Sequence, residues 1–210
     1  MWPRLAPVNS ALHIMCRGNN KQEILQIGRD KLQYYSLLEK YREENKISIF
    51  HYCIMDNHVH LIVWLTESST ISKFMKQVNL SYSVYYNNIY NYCGHLWQGR
   101  FKSKIIADDP YLLQCGKYIE LNPVRKGLVR SPEEYLFSSY NHYANNKSDP
   151  LITDSPAYLS MSESKQARNR AYRKFIVREN MENASPPAEA FSGGRNVLPG
   201  EKRSPLWAGK

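Results

Sequence analysis

Apolar and polar residues follow two distinct periods along the first 145 positions, and the period changes at turn-forming residues. Leu12-His13-Ile14-Met15-Cys16 reads as a strand that stops at Arg17-Gly18-Asn19-Asn20. From about residue 29 to 45, Leu32, Tyr35, Leu38 and Tyr41 recur three apart among charges, which predicts an amphipathic helix. Strands are predicted at 47–55 and 58–65, flanking Asp56-Asn57, a pair suited to a hairpin turn. A long helix follows over about 69–92, with Ser69 or Thr70 as N-cap and Gly94 as its stop. Its stripe of Tyr82, Tyr85, Tyr86 and Ile89 is expected to pack on a sheet. A short strand at 104–107 and a helix opened by Asp108-Asp109-Pro110 complete the pattern. Strand, helix, strand, strand, helix, strand, helix predicts an α+β fold: a ferredoxin-like sandwich with a mainly antiparallel sheet and helices packed on one face of it.

The predicted domain spans residues 10–145. After Asn145-Asn146-Lys147-Ser148-Asp149-Pro150 the composition shifts, and 146–180 reads as a basic, helical extension carrying Lys165, Arg168, Arg170, Arg173, Lys174 and Arg178. Residues 181–210, rich in Pro, Gly, Ser and Ala, read as a disordered tail. A chain of 210 residues buries enough apolar surface to fold without disulfides or a structural metal. Cys16, Cys53, Cys93 and Cys115 form no Cys-x-x-Cys pair, which argues against a zinc ribbon and a secreted disulfide scaffold. No signal-peptide core is present, and no apolar run approaches the roughly 20 residues of a membrane span. The expectation is a cytoplasmic, nucleoid-associated protein with no membrane partner.

Charge narrows the class of partner. Lys and Arg number 28 against 19 Asp and Glu, a formal net charge of +9, which favours polyanions by attraction and counterion release. The 16 tyrosines, interleaved with cations, suit unpaired bases better than a duplex.

Two constellations carry candidate chemistry. His58 and His60 flank Val59 in a predicted strand, so both imidazoles project from one face, a spacing that suits a divalent cation but needs a third ligand. About sixty residues on, Tyr118 and Asn122 lie four apart, near one helical face, where a nucleophile and a metal ligand would be neighbours. Local grammar offers other roles. Asn122 before Pro123 also reads as an N-cap at a helix break, and Tyr118 as a core ring. Glu120 reads as solvated, and His13, His51, His95 and His142 as structural or surface residues.

The words Cys16-Arg17-Gly18-Asn19-Asn20, Met55-Asp56-Asn57-His58-Val59-His60-Leu61, Gly94-His95-Leu96-Trp97-Gln98-Gly99-Arg100-Phe101, Lys117 to Val129 and Tyr135-Leu136-Phe137-Ser138-Ser139-Tyr140 resemble, in order, those of the HUH-type tyrosine transposases. The resemblance is to the REP-associated tyrosine transposases in particular, and it covers roughly residues 12 to 143. It implies a nuclease domain acting on single-stranded DNA with hairpin or palindromic ends, His58 and His60 as metal ligands, Asn122 as a third, and Tyr118 as the nucleophile that forms a covalent 5′-phosphotyrosine. It also implies Mg²⁺ or Mn²⁺, whereas imidazole ligands alone point to zinc or a later transition metal. Candidate DNA contacts are Arg17, Arg100, Lys102, Lys104 and Arg125, with Arg168 and Arg173 from the basic extension. Asp56 stands where such chains often carry Pro, and Lys126 where Ala is usual. The alternatives are a DNA-hairpin-binding protein without cleavage and a replication-initiator-type nickase; a monomer and a homodimer are both compatible.

Overall fold

The computed structural model describes residues 8–66 and 69–177. The tail read at 181–210, and Arg178, lie outside the described residues. Four strands, β1 (Ser10–Arg17), β2 (Ile47–Ile54), β3 (His58–Leu65) and β4 (Lys102–Ile106), form one sheet in the order β2-β3-β1-β4, every neighbouring pair antiparallel. With α1 (Gly28–Glu44) between β1 and β2, and α2 (Ile71–Tyr90) between β3 and β4, this is the predicted ferredoxin-like arrangement.

The helices cover both faces of the sheet, not one. Leu12, Ile14, Cys16, Val59, Leu61 and Val63 pack against Tyr34, Leu37 and Leu38 of α1 and Phe74, Met75, Val78 and Tyr82 of α2. The alternate residues Ala11, Cys53, Ile62 and Ile106 pack instead against Leu112, Cys115 and Ile119 of α3 (Asp109–Glu120). Period-two alternation in the strands thus feeds two cores.

Several local expectations shift. Leu32 is exposed, because the buried stripe of α1 runs through Tyr34, Leu37 and Leu38. Ile89 is likewise exposed, while Tyr82 is fully buried and donates to the Ile24 carbonyl. Helix α2 ends on Asn91 in left-handed conformation, not on Gly94, since asparagine tolerates that geometry. Asp108 caps α3 as its sequence suggests, accepting from the Tyr111 amide at 2.8 Å, with Pro110 in the first turn.

Beyond α3 run α4 (Asn122–Arg125), α5 (Tyr140–Asn145), α6 (Pro156–Leu159) and α7 (Lys165–Val177). Packing crosses the composition change near residue 145. Asp149 accepts from Tyr35 and Tyr52 hydroxyls at 2.6 and 2.7 Å, and Thr153 donates to the Ile49 carbonyl at the edge of β2. Leu121, Tyr140, Tyr143, Tyr158, Tyr172 and Ile176 form a third apolar cluster that joins α5, α6 and α7 to the end of α3. A β-bulge at Phe50 lies beside it, and the Phe50 carbonyl accepts from the Tyr143 hydroxyl at 2.5 Å.

Candidate active site

Strand β3 begins at His58, directly after the Asp56-Asn57 turn. Local contacts hold that turn. Lys31, almost fully buried on α1, pairs with Asp56 at 2.6 Å, and the Asp56 and Asn57 carbonyls accept from the amides of Leu25 and Gly18. An aspartate paired to a buried lysine therefore does the stiffening that a proline would do by fixing φ.

Register sets what faces what. His58 stands opposite Arg17 and His60 opposite Met15 on β1, while Met15 and His13 stand opposite Lys102 and Lys104 on β4. His13, His58, His60, Arg17, Lys102 and Lys104 consequently share the α3 face of the sheet. The His58 and His60 rings are perpendicular with centroids 4.9 Å apart. Nδ1 of His58 lies 2.5 Å from Asn57 Oδ1, and Nδ1 of His60 lies 2.9 Å from His13 Nε2. An amide oxygen only accepts, so Nδ1 of His58 carries the proton and Nε2 keeps its lone pair.

Burial pushes His58 and His13 down to about 4 and His60 well below its ordinary value. Neighbouring charges add to this: Arg17 and Lys126 for His58, Lys104 for His13, and for His60 the repulsion it would meet if His13 and His58 were also protonated, together with Arg17. All three imidazoles are therefore neutral near pH 7, the form that ligates metals.

Tyr118 comes to this cluster from α3. It is half-buried, its ring edge-on to His60 at 6.0 Å between centroids, with the Arg125 guanidinium 5.3 Å above it. Gly116 sets the closeness of α3 to the sheet, because a Cβ there would sit 2.7 Å from His51 Cε1. Leu121 is helical at φ −84°, ψ −5°, and Arg125 donates to its carbonyl, so α3 runs on into α4 and Asn122 is not an N-cap. Asn122 is buried, and its Nδ2 has no hydrogen-bond partner. Gly127 at φ +68° then stops α4, with Gly127 and Leu128 amides returning to the Val124 and Pro123 carbonyls in a Schellman motif.

The donor set suits a catalytic ion better than a structural one. Two neutral imidazoles with Nδ1 engaged fall short of a closed tetrahedral site, and a buried Asn122 could add at most its amide Oδ1, which would leave coordination positions for substrate. Among the described residues no three His, Cys, Asp or Glu side chains group as a closed metal site.

The candidate DNA contacts divide. Arg17, Lys102, Lys104 and Arg125 surround the histidines and Tyr118, and Gln98 hydrogen-bonds the Arg17 carbonyl, which brings the exposed Arg100 to the same end of β1. Arg168 is turned to another use, donating to the Ser162 and Glu163 carbonyls, and Arg173 reaches Asn145 on α5. Sequence reasoning missed four members of this neighbourhood. His13 shares alternation with the strand histidines only once β1 is paired with β3, and Lys126 is near His58 only through the turn after α4. Lys117 and Glu120, which flank Tyr118, are fully buried rather than solvated, and an isolated charge pattern does not reveal that.

The chain is thus an α+β sandwich, an antiparallel sheet covered on both faces, with a histidine pair on β3 and Tyr118 on the helix across from it. The model of the IS200-like transposases matches residues 7–122, and the chain belongs to that family. It is 26% identical over 130 residues to a Haemophilus influenzae protein assigned as a REP-associated tyrosine transposase, an alignment covering 54% of this chain and 74% of that one. A solved REP-associated tyrosine transposase bound to a REP hairpin superposes with a TM-score of 0.59 at 17% identity, over 75% of this chain and 95% of the other. That likeness bears on the fold. Among the described residues no helix is long and apolar enough to cross a membrane.

Proposed function

We propose that this protein cuts and rejoins single-stranded DNA at hairpin-forming ends, with Tyr118 as nucleophile. The observation that carries the reading is Tyr118 packed against His60 beneath Arg125, in a family-matched region whose histidine pair is neutral and ready to ligate. Support for a hairpin substrate comes from the solved relative, which is bound to one.

His58, His60 and Asn122 would hold Mg²⁺ or Mn²⁺; bound there, the ion supplies positive charge to the non-bridging oxygens of the scissile phosphate. Arg125 and Arg17 place further cations around that phosphate and orient it. The Tyr118 Oη attacks phosphorus: the Oη–P bond forms, the P–O3′ bond breaks, the phenolic proton is lost to solvent base, and the 3′ oxygen gains a proton. The products are a 5′-phosphotyrosine and a free 3′ hydroxyl. Attack on the linkage by a 3′ hydroxyl reverses the step and restores Tyr118, so no nucleotide triphosphate is consumed.

The test incubates the protein and Mn²⁺ or Mg²⁺ with labelled single-stranded hairpins on a denaturing gel. A covalent adduct that is metal-dependent and absent in Tyr118→Phe is expected. Binding by the wild type with neither adduct nor nick under either metal would leave a DNA-hairpin-binding protein in place of a nuclease.

A further inference from the structure

The last turn of α3 carries Tyr118 between two buried charged residues, and both are satisfied by the chain beyond residue 122, where the family match ends. Lys117 Nζ donates to the Phe175 carbonyl at 2.8 Å and lies 5.0 Å over the Phe175 ring. That carbonyl belongs to α7, so the buried ammonium ties the last turn of α3 directly to the backbone of α7. Glu120, with no exposure at all, accepts from Tyr172 at 2.8 Å, from Ser139 at 2.5 Å and from His51 at 2.9 Å. Tyr172 and Phe175 are both on α7, three residues apart and on one side of it.

We propose that Lys117 and Glu120, with Tyr172 and Phe175 of α7, form a clamp that positions the nucleophile-bearing turn of α3 over the histidine face. The proposal rests on Tyr118 being the nucleophile. A buried lysine and a buried glutamate stay in place only while their polar partners stay with them. Detaching α7 exposes both groups to water, and a turn that must rehydrate residues 117 and 120 does not keep residue 118 at its distance from His60. The basic extension is thereby given a role in the placement of Tyr118. Two of its cations are spent on internal carbonyl and amide oxygens, in keeping with a supporting element.

The experiment uses the full chain and the Tyr172→Phe variant, which keeps the ring in the core and removes only the hydroxyl that reaches Glu120. Tyr82→Phe, which deletes an equally buried hydroxyl on the other face of the sheet, is the matched control. Three quantities are measured: amide hydrogen exchange, single-turnover adduct formation on a single-stranded hairpin with Mn²⁺, and hairpin affinity. Tyr172→Phe is expected to speed exchange at residues 117–121 with β3 unchanged, and to slow adduct formation about tenfold with affinity preserved. Tyr82→Phe is expected to leave residues 117–121 and the adduct rate as in the wild type. Wild-type exchange at 117–121 in Tyr172→Phe would overturn the clamp, as would equal slowing by both variants. If the wild type forms no adduct, the nucleophile reading fails; the exchange arm then still separates a turn held by α7 from one that is not.

Discussion

The two faces of the sheet are made by the same strands and solved in opposite ways. On the α1–α2 face the buried strand positions are apolar or tyrosine, and the hydroxyls of the helix tyrosines over them are internally satisfied, Tyr34 on Asn79 and Tyr82 on the Ile24 carbonyl. On the α3 face the strands offer His13, His51, His58 and His60 with cations along β1 and β4; α3 lies over this face, and Tyr143 of α5 and Tyr172 of α7 pack on His51. One face is sealed by apolar side chains, while the other gives up apolar burial for imidazoles and cations, the groups that the proposed reaction uses. Two core-forming helices supply enough burial for the opposite side of the same strands to be specialised.

That contrast can be tested directly. The largest effect should come from chelation: excess EDTA is expected to abolish adduct formation while leaving the thermal midpoint unchanged, because neither core contains a metal ligand set. A midpoint that drops with the activity would make the ion structural. Glu120→Ala should cost about 3–5 kcal/mol in urea unfolding, as it strands His51, Ser139 and Tyr172 in a dry site; a loss below about 1 kcal/mol would show that water reaches the site. His13→Ala should weaken Mn²⁺ binding by about 10- to 100-fold in calorimetric titration, with partial rescue in His13→Gln. Unchanged affinity would show that His60 is oriented without its neighbour. The smallest effect belongs to the sealed face, where Tyr82→Phe should cost about 1 kcal/mol in the same unfolding experiment and leave cleavage rates alone.

Much of this molecule was legible along the chain because its elements are long and regular in period. The hairpin around Asp56-Asn57 and the Asp108 cap fell where turn and cap chemistry put them. What failed depended on partners distant in sequence. Which stripe of α1 is buried depends on α2, so Leu32 was miscast as a core position. Asn122-Pro123 looked like a helix break, yet Leu121 keeps helical angles and carries α3 on into α4. His13 looked isolated because its pairing with His60 is created by the β1–β3 register, which alternation alone does not fix. Glu120 reads as a solvated charge along the chain, and its burial depends on Ser139, His51 and the return of α7, more than fifty residues later, which also takes up Lys117.

Gly116 carries a consequence for the history of such chains. With no room for even one methyl between position 116 and the imidazole at 51, the two positions can change only together. A larger residue at 116 should occur in relatives that carry a smaller one at 51, and a chain that changes one alone should carry a displaced tyrosine helix. Residues 51 and 116, neither of which touches DNA in the proposed reaction, would then covary as a coupled pair.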